Sequence, residues 1–315
     1  MTAIDILKLK RETPKKSATE YSDEQAQTES TFAYKWKKRE FYENEDIKKL
    51  QIAWLFERYC GGNPDMLKEW LKGGKKIILD AGCGSGYSAM LFFNELLKDN
   101  YYLGVDISSA VEVGVERFAE ANLPGDFLQL SLMDMPIPEN SVDMIFAEGV
   151  LHHTDSTEKA LIYLSTKLKK GGRFLFYVYV KKAPIREFTD DHIRHQLAKM
   201  SNEEAWDALM PLTKFGKMLD ELKIEIDIPE DIPVLGIKKG KTDLQRFFYW
   251  NICKMWVRPE ANLDEMNIIN FDWFMPLNCQ RHTKEEVMEY CKNAGLEIER
   301  MDVMESGITV VAKKI

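Results

Sequence analysis

Three carboxylates, Asp80, Asp106 and Asp134, and a fourth, Glu148, each stand at or just past the end of an apolar run, and the first is followed by glycines at alternate positions, Gly82, Gly84 and Gly86. Glycine has no Cβ, so such positions tolerate positive φ and let a ligand approach the turn at the head of the next helix. That is a nucleotide-binding geometry. A dinucleotide fingerprint G-x-G-x-x-G would need glycine at 87, where this chain has Tyr87, which weighs against a nicotinamide dehydrogenase. Asp106 lies about twenty residues past the loop, where a carboxylate can accept from both hydroxyls of a ribose. His152 and His153 follow Glu148 closely, and an imidazole can take a proton near neutral pH.

Those residues need a scaffold that ends several strands side by side. Residues 77 to 79, Ile-Ile-Leu, read as a strand buried on both faces. Runs at 101 to 105, 127 to 132, 142 to 147 and 174 to 180 read as further strands, alternating with helical stretches at 88 to 98, 109 to 122 and 156 to 169. Ser108 or Ser109 suits the N-cap of the second helix, and Gly171-Gly172 stops the third. Earlier, 46 to 59 and 66 to 71 have helical spacing. Near the end, Thr283 and Glu286 form a capping box for a helix over 282 to 294, and strands at 296 to 303 and 308 to 313 flank Glu305-Ser306-Gly307.

Leu-Asp-Ala-Gly-Cys-Gly-Ser-Gly at 79 to 86, Gly-Val-Asp-Ile-Ser at 104 to 108, Met-Asp-Met-Pro at 133 to 136, Asn-Ser-Val-Asp-Met-Ile at 140 to 145 and Gly-Val-Leu-His-His at 149 to 153 together resemble the class I S-adenosylmethionine-dependent methyltransferases. Lys-Lys-Gly-Gly-Arg-Phe at 169 to 174 is similar to the turn before that family's fifth strand. The resemblance covers 76 to 180 and 282 to 315. It implies an α/β fold, a doubly wound, mostly parallel seven-stranded Rossmann-like sheet closed by an antiparallel hairpin. The implied cofactor is S-adenosyl-L-methionine, with S-adenosyl-L-homocysteine as product. Carried over by position, Gly82, Cys83, Gly84 and Gly86 run along the methionine and ribose, and Asp80 meets the methionine ammonium. Asp106 takes the ribose diol, Ile107 and Met133 pack on the adenine, Asp134 accepts from its amino group, and Glu148 touches cofactor or substrate. An aromatic segment before the first helix closes over the methionine end in such relatives, which makes Tyr34, Lys35 and Trp36 lid candidates beside the alternative of simple helix packing. The loop after the fourth strand faces the reactive methyl in this fold, so His153, Glu148 and His152 are the catalytic candidates, with one histidine structural in the rival reading.

A minimal methyltransferase would pass directly from the fifth strand to its last helix, but here residues 181 to 281 intervene. Too long for a structureless loop, they show helical stretches at 191 to 200, 201 to 209, 213 to 222 and 244 to 257, and a proline-rich break at 228 to 234. They read as an inserted, mainly helical cap that forms most of the acceptor pocket. His192, His195, Asp272, Trp273, Arg281 and His282 are the substrate candidates within or beside it. Asp190, Asp191, His192 and His195 are metal-ligating types, but a solvated helix face has the same pattern, and no metal is assigned.

Residues 1 to 30, a basic stretch (Lys8, Lys10, Arg11, Lys15, Lys16) and then an acidic one (Glu20, Asp23, Glu24, Glu29), read as a flexible arm, or else a lid or dimer contact. A net charge of −8 argues against a general nucleic-acid binder. Lys35, Lys37, Lys38 and Arg39 among aromatics nevertheless keep an RNA acceptor as the alternative, and a non-catalytic cofactor-binding protein as a third reading. No apolar run approaches the ~20 residues that span a bilayer. The five cysteines, at 60, 83, 253, 279 and 291, have neither C-x-x-C nor zinc spacing; an arsenic methyltransferase would need three of them to converge. The expectation is a cytoplasmic enzyme with a small-molecule acceptor, able to form a homodimer.

Overall fold

The computed structural model describes residues 1–10, 22–38 and 45–315. The chain divides into two units, Met1–Val180 with Gln280–Ile315, and Lys181–Cys279. Gln280 and Arg281, read as the end of the insert, therefore belong to the first.

In the first unit, α1 (Ala3–Leu7) opens with a capping box between Thr2 and Asp5 and buries Ala3, Ile4 and Leu7. Its Ile4 N–H donates to Asp126 Oδ2 at 2.9 Å. The start of the expected arm is therefore docked, because three apolar side chains on one helical turn find the sheet. Arg11, Lys15, Lys16 and Glu20 lie outside the described residues, as does Arg39. The acidic half of that stretch opens α2 (Asp23–Trp36), capped by Ser22, whose Oγ accepts from the Gln25 N–H. Then come α3 (Glu45–Cys60) and α4 (Pro64–Trp70), followed by β1 (Ile77–Ala81), α5 (Tyr87–Phe93), β2 (Tyr101–Asp106), α6 (Ala110–Glu120) and β3 (Asp126–Gln129). Next are β4 (Val142–Glu148), α7 (Thr157–Lys167) and β5 (Leu168–Tyr179). β3 stops before the expected 132 because Ser131 turns the chain, accepting through Oγ from the Met133 N–H at 3.1 Å and through its carbonyl from the Asp134 N–H at 3.2 Å.

In the second unit are α8 (Pro184–Leu197), α9 (Asn202–Glu221), the antiparallel pair β6 (Glu225–Ile228) and β7 (Gly240–Asp243), α10 (Leu244–Asn251) and α11 (Leu263–Phe274). Two helices were expected around Pro211, but α9 runs through it. Its capping box and a buried polar contact hold it, with Thr213 Oγ1 donating to Asn267 Oδ1 at 2.7 Å. The proline-rich break lies between two strands, so this unit is not wholly helical. α11 was missed, although Asn262 and Glu265 cap it in the usual box.

The chain returns to the first unit for α12 (Lys284–Asn293), β8 (Leu296–Val303) and β9 (Gly307–Lys314). Among the described residues, seven strands form one sheet in the order β3-β2-β1-β4-β5-β9-β8, parallel from β3 to β5 and antiparallel through β9 and β8. This is the doubly wound sheet expected. Side chains alternate across it. One face packs Leu79, Val105, Ile145 and Phe174 against α1, α7 and α12. On the other, Phe146 stacks with Phe92 at 5.6 Å and meets Tyr59 at 5.5 Å and Phe93 at 5.4 Å. Truncating one such buried ring costs roughly 3–5 kcal/mol. The strand order reverses between β1 and β4, and the crevice at the carboxyl ends of such strands is where open α/β sheets bind ligands. No helix among the described residues is long and apolar enough to cross a membrane, and the five cysteines are buried without a disulfide.

Candidate active site

Asp80 and Glu148 close the two strands that flank this crevice. The loop after β1 curls back on itself. The N–H groups of Gly82 and Cys83 donate to the Val105 carbonyl at 2.7 and 3.0 Å, that of Gly86 to the Cys83 carbonyl at 2.8 Å, and that of Gly84 to Asp106 Oδ2 at 2.8 Å. Four amides are thus already satisfied, leaving a poor phosphate cradle, which needs free N–H donors. A phosphate-free ligand fits better. Arg117, buried on α6, donates to the carbonyl and hydroxyl of Ser85 and braces the loop from below; the sequence reading did not single it out. Gly84, with φ +52°, sits where a Cβ would come within 2.5 Å of Trp36 Nε1. At Gly82 a Cβ would run into the Val150 side chain.

Asp80 is buried and accepts from the Tyr102 hydroxyl at 2.6 Å. Burial pushes its carboxyl up to about 7; the Tyr102 hydrogen bond opposes the shift, while Asp106 and Glu148 add to it. Its charged neighbours are themselves acidic, so a ligand cation would relieve it. Asp106 is raised by burial against the pull of its hydrogen bonds. Oδ1 accepts from the Ser108 N–H at 2.8 Å and Oγ at 2.7 Å, and Oδ2 from Gly84. One lone pair remains, enough for one ribose hydroxyl rather than the diol expected. Met133 and Asp134 are exposed on the turn after β3. Ile107 is half-buried, its carbonyl accepting from Gln129 Nε2 at 3.0 Å. The Cys83 thiol is driven well up by burial beside Asp80 and Asp106, so its sulfur is a packing group.

The catalytic candidates are corrected in two places. Glu148 is held by the Arg58 guanidinium on Oε1 and the Tyr59 hydroxyl on Oε2, and Arg58 lies 4.2 Å over the Tyr177 ring. Although burial works to lower it, the Arg58 pKa is raised on balance by Glu148. A carboxylate so engaged is a structural clamp rather than a base. His152 is fully buried, 3.8 Å from the Tyr179 ring. Neither ring nitrogen makes a hydrogen bond of good geometry among the described residues. Burial, then His153 and His282, pushes its pKa well below the usual imidazole range, with the nearby Tyr177 backbone softening the shift. It stays neutral. His153 is buried with its ring 5.0 Å from Phe32 of α2 and 5.6 Å from Tyr179.

The aromatic segment ahead of β1 does reach the loop. Trp36 lies on Gly84, with Lys35 Nζ 4.3 Å over its ring, while Tyr34 sits beneath Lys38 Nζ at 4.8 Å. His282, expected near substrate, is instead a buried brace whose Nε2 lies 2.9 Å from Thr157 Oγ1. Gln280 supports the same turn, donating to the Thr154 carbonyl at 2.6 Å and accepting from the Thr157 N–H at 3.1 Å. Arg281 beside it is half-buried. In the second unit, His192 and His195 are exposed on α8, His192 stacking on Phe188, and Asp190 and Asp191 pair with Arg186 and Arg194 rather than gathering around a metal. Asp272 is half-buried, and Trp273 is buried with its Nε1 donating to Asp190 Oδ2 at 2.7 Å.

Fold and loop together define an α/β domain with a glycine-turn ligand site at the carboxyl ends of its strands. The chain carries a class I S-adenosylmethionine-dependent methyltransferase domain, residues 79–176 matching the family described as "Methyltransferase domain". Its relatives include a tRNA U34 carboxymethyltransferase of Shewanella piezotolerans, 33% identical over 108 residues, which are 33% of this chain and 32% of that protein. A demethylmenaquinone methyltransferase of Symbiobacterium thermophilum is 35% identical over 102 residues, 31% of this chain and 40% of its own. The chain thus spans less than half the length of these curated relatives. A methyltransferase structure from Aquifex aeolicus is similar with a TM-score of 0.45 and 15% identity, over 86% of this chain and 98% of that one.

Proposed function

We propose that this protein moves a methyl group from S-adenosylmethionine, by in-line displacement, to an oxygen, nitrogen or carbon nucleophile of a small-molecule acceptor. Asp80 is the observation that carries the donor half: a buried carboxylate whose charged neighbours are acidic, at the mouth of a loop whose amides are taken. When bound, the cofactor supplies a methyl already activated on a sulfonium and leaves as S-adenosylhomocysteine. The chain's part is alignment and exclusion of water. Asp80 faces the cofactor's positive charge, the open lone pair of Asp106 holds a ribose hydroxyl, and Met133, Asp134 and Ile107 bound the adenine. Trp36 covers the loop at Gly84, and Phe32 covers His153. His153 is the remaining base, needed only where the acceptor arrives protonated with a high pKa.

The small-molecule acceptor is supported by what α2 does with its basic and aromatic residues. Lys35 lies over Trp36 and Phe32, Lys38 over Tyr34, and Trp36 packs on the glycine loop. Those rings are spent on packing and on cations, not held open as a platform for bases. The name of the carboxymethyltransferase relative favours tRNA, that of the demethylmenaquinone relative a small molecule; the charge of −8 sides with the second. Titration calorimetry with S-adenosylmethionine and S-adenosylhomocysteine tests the donor, and no binding of either at millimolar concentration would sink it. Radiolabelled methyl transfer to a small-molecule panel and to bulk tRNA tests the acceptor, and label in tRNA alone would overturn the small-molecule reading.

A further inference from the structure

Within the unit Lys181–Cys279, charge is buried in an unusual balance. Asp190 is fully committed: it accepts from Arg186 Nε at 2.6 Å and Trp273 Nε1 at 2.7 Å on Oδ2, and from the Lys254 N–H at 3.3 Å on Oδ1. The cations around it outnumber it. The Trp273 ring has Lys254 Nζ 4.7 Å, Arg186 Cζ 5.4 Å and Lys182 Nζ 5.7 Å from its centroid, and Lys182 also lies 5.8 Å from Trp250. Lys254 is 8% exposed, its Nζ lies over the Trp273 ring, and the charge of Asp272 opposes the effect of burial on it. An ammonium largely withdrawn from water is stabilised when something negative joins it.

We propose that Lys254 and Lys182, gathered on Trp273 beside the Arg186–Asp190 pair, form a binding site for the carboxylate of a monoanionic ligand. A single negative charge suits the balance. Arg186 cancels Asp190, and Asp272 and Glu187 partly offset the lysines. Burial, Arg186 and mutual repulsion push Lys182 down to about 7, while burial with Arg186 pushes Lys254 down to about 8. Arg246 and Tyr249 on α10 and the thiols of Cys253 and Cys279 complete the ionisable surroundings. An arriving carboxylate would raise both lysines, so binding takes up protons.

The test is calorimetry on the full chain at pH 7.5 with benzoate, its neutral counterpart benzamide, and inorganic phosphate, in buffers of different ionisation enthalpy. The expected result is benzoate binding at least tenfold tighter than benzamide or phosphate, with net proton uptake. Lys254→Met should weaken benzoate tenfold or more and reduce the uptake, and Lys182→Met should do the same to a smaller extent. Equal affinity for benzoate and benzamide, benzoate binding without proton uptake, or preference for phosphate overturns the proposal. So does the absence of benzoate binding by protein that binds S-adenosylmethionine in the same cell, a result that leaves the methyltransferase reading standing. A melting curve for each variant confirms folding, and Lys254→Arg, which keeps the charge, should retain benzoate affinity within threefold.

Discussion

Tyr102 and Asp80 sit on adjacent strands and on the same face of the sheet, and the phenol donates to the carboxylate at 2.6 Å where β1 ends. Register makes this pair: Tyr102 lies opposite Ile78, and Asp80 opposite Gly104, so the two side chains are diagonal neighbours. With its carboxyl raised to about 7, Asp80 is half protonated near neutrality. A cationic ligand binds the ionised form, so its binding must expel a proton below that pH. Affinity for S-adenosylmethionine should therefore fall as pH drops from 7 to 5, approaching tenfold per unit. Asp80→Asn should weaken binding and flatten this dependence. Tyr102→Phe, which removes a hydrogen bond to the ionised form, should shift the midpoint upward. A calorimetric pH series decides it; an unchanged slope in Asp80→Asn would clear Asp80 of the role.

Gly84→Ala should abolish cofactor binding at millimolar concentration, because the new methyl meets the Trp36 indole and a φ of +52° disfavours any L side chain by about 1–2 kcal/mol. Trp36→Ala in the same chain should restore part of the affinity by removing the clash but not the backbone strain. If the double variant binds no better than the single one, the contact between Trp36 and Gly84 does not govern the site.

Breaking the Glu148 clamp should cost stability before it costs chemistry. Glu148→Gln leaves the half-buried Arg58 guanidinium without its counter-ion and should lower unfolding free energy by about 1–3 kcal/mol. Tyr59→Phe should lose about 1 kcal/mol. Urea midpoints measure both, and a Glu148→Gln protein as stable as the parent with turnover lost would return Glu148 to the catalytic list.

The two histidines should separate cleanly. His152→Leu removes an imidazole whose nitrogens lack well-formed hydrogen bonds, so it should leave the melting temperature unchanged or higher and cofactor affinity within twofold. His153→Asn should reduce turnover on an alcohol acceptor by about 10²–10⁴ and barely affect an amine. Steady-state assays on both acceptor types check this, and equal losses on the two would point to packing against Phe32 instead.

Much of the donor side was legible in order of residues alone. The alternation of apolar runs and helical stretches sets strands and helices in turn, the resemblance to the methyltransferases implies the doubly wound sheet, and the glycines and acidic strand ends, Asp80 and Asp106, mark a cofactor loop, because these signals are local and repeat at short intervals. What side chains do across the sheet was not legible. Nothing near Glu148 in sequence says that Arg58 and Tyr59, on a helix before β1, will seize it, or that Tyr102 will meet Asp80. The same holds for Arg117 under Ser85 and for His282 against Thr157. In the insert, Pro211 suggested a break that α9 overrides, since capping and the Thr213–Asn267 contact outweigh one lost backbone hydrogen bond.

The succession of strands and helices along the chain is thus a property of the sequence by itself, carried by periodicity and glycine placement, and the donor is what the motifs shared with the methyltransferase family imply. Which carboxylate remains open to a ligand, which histidine is sealed away, and that Lys182, Lys254 and Arg186 share one tryptophan were decided only by tertiary structure. Burial and long-range pairing set the charge state and reach of each group, and neither can be read from neighbours along the chain.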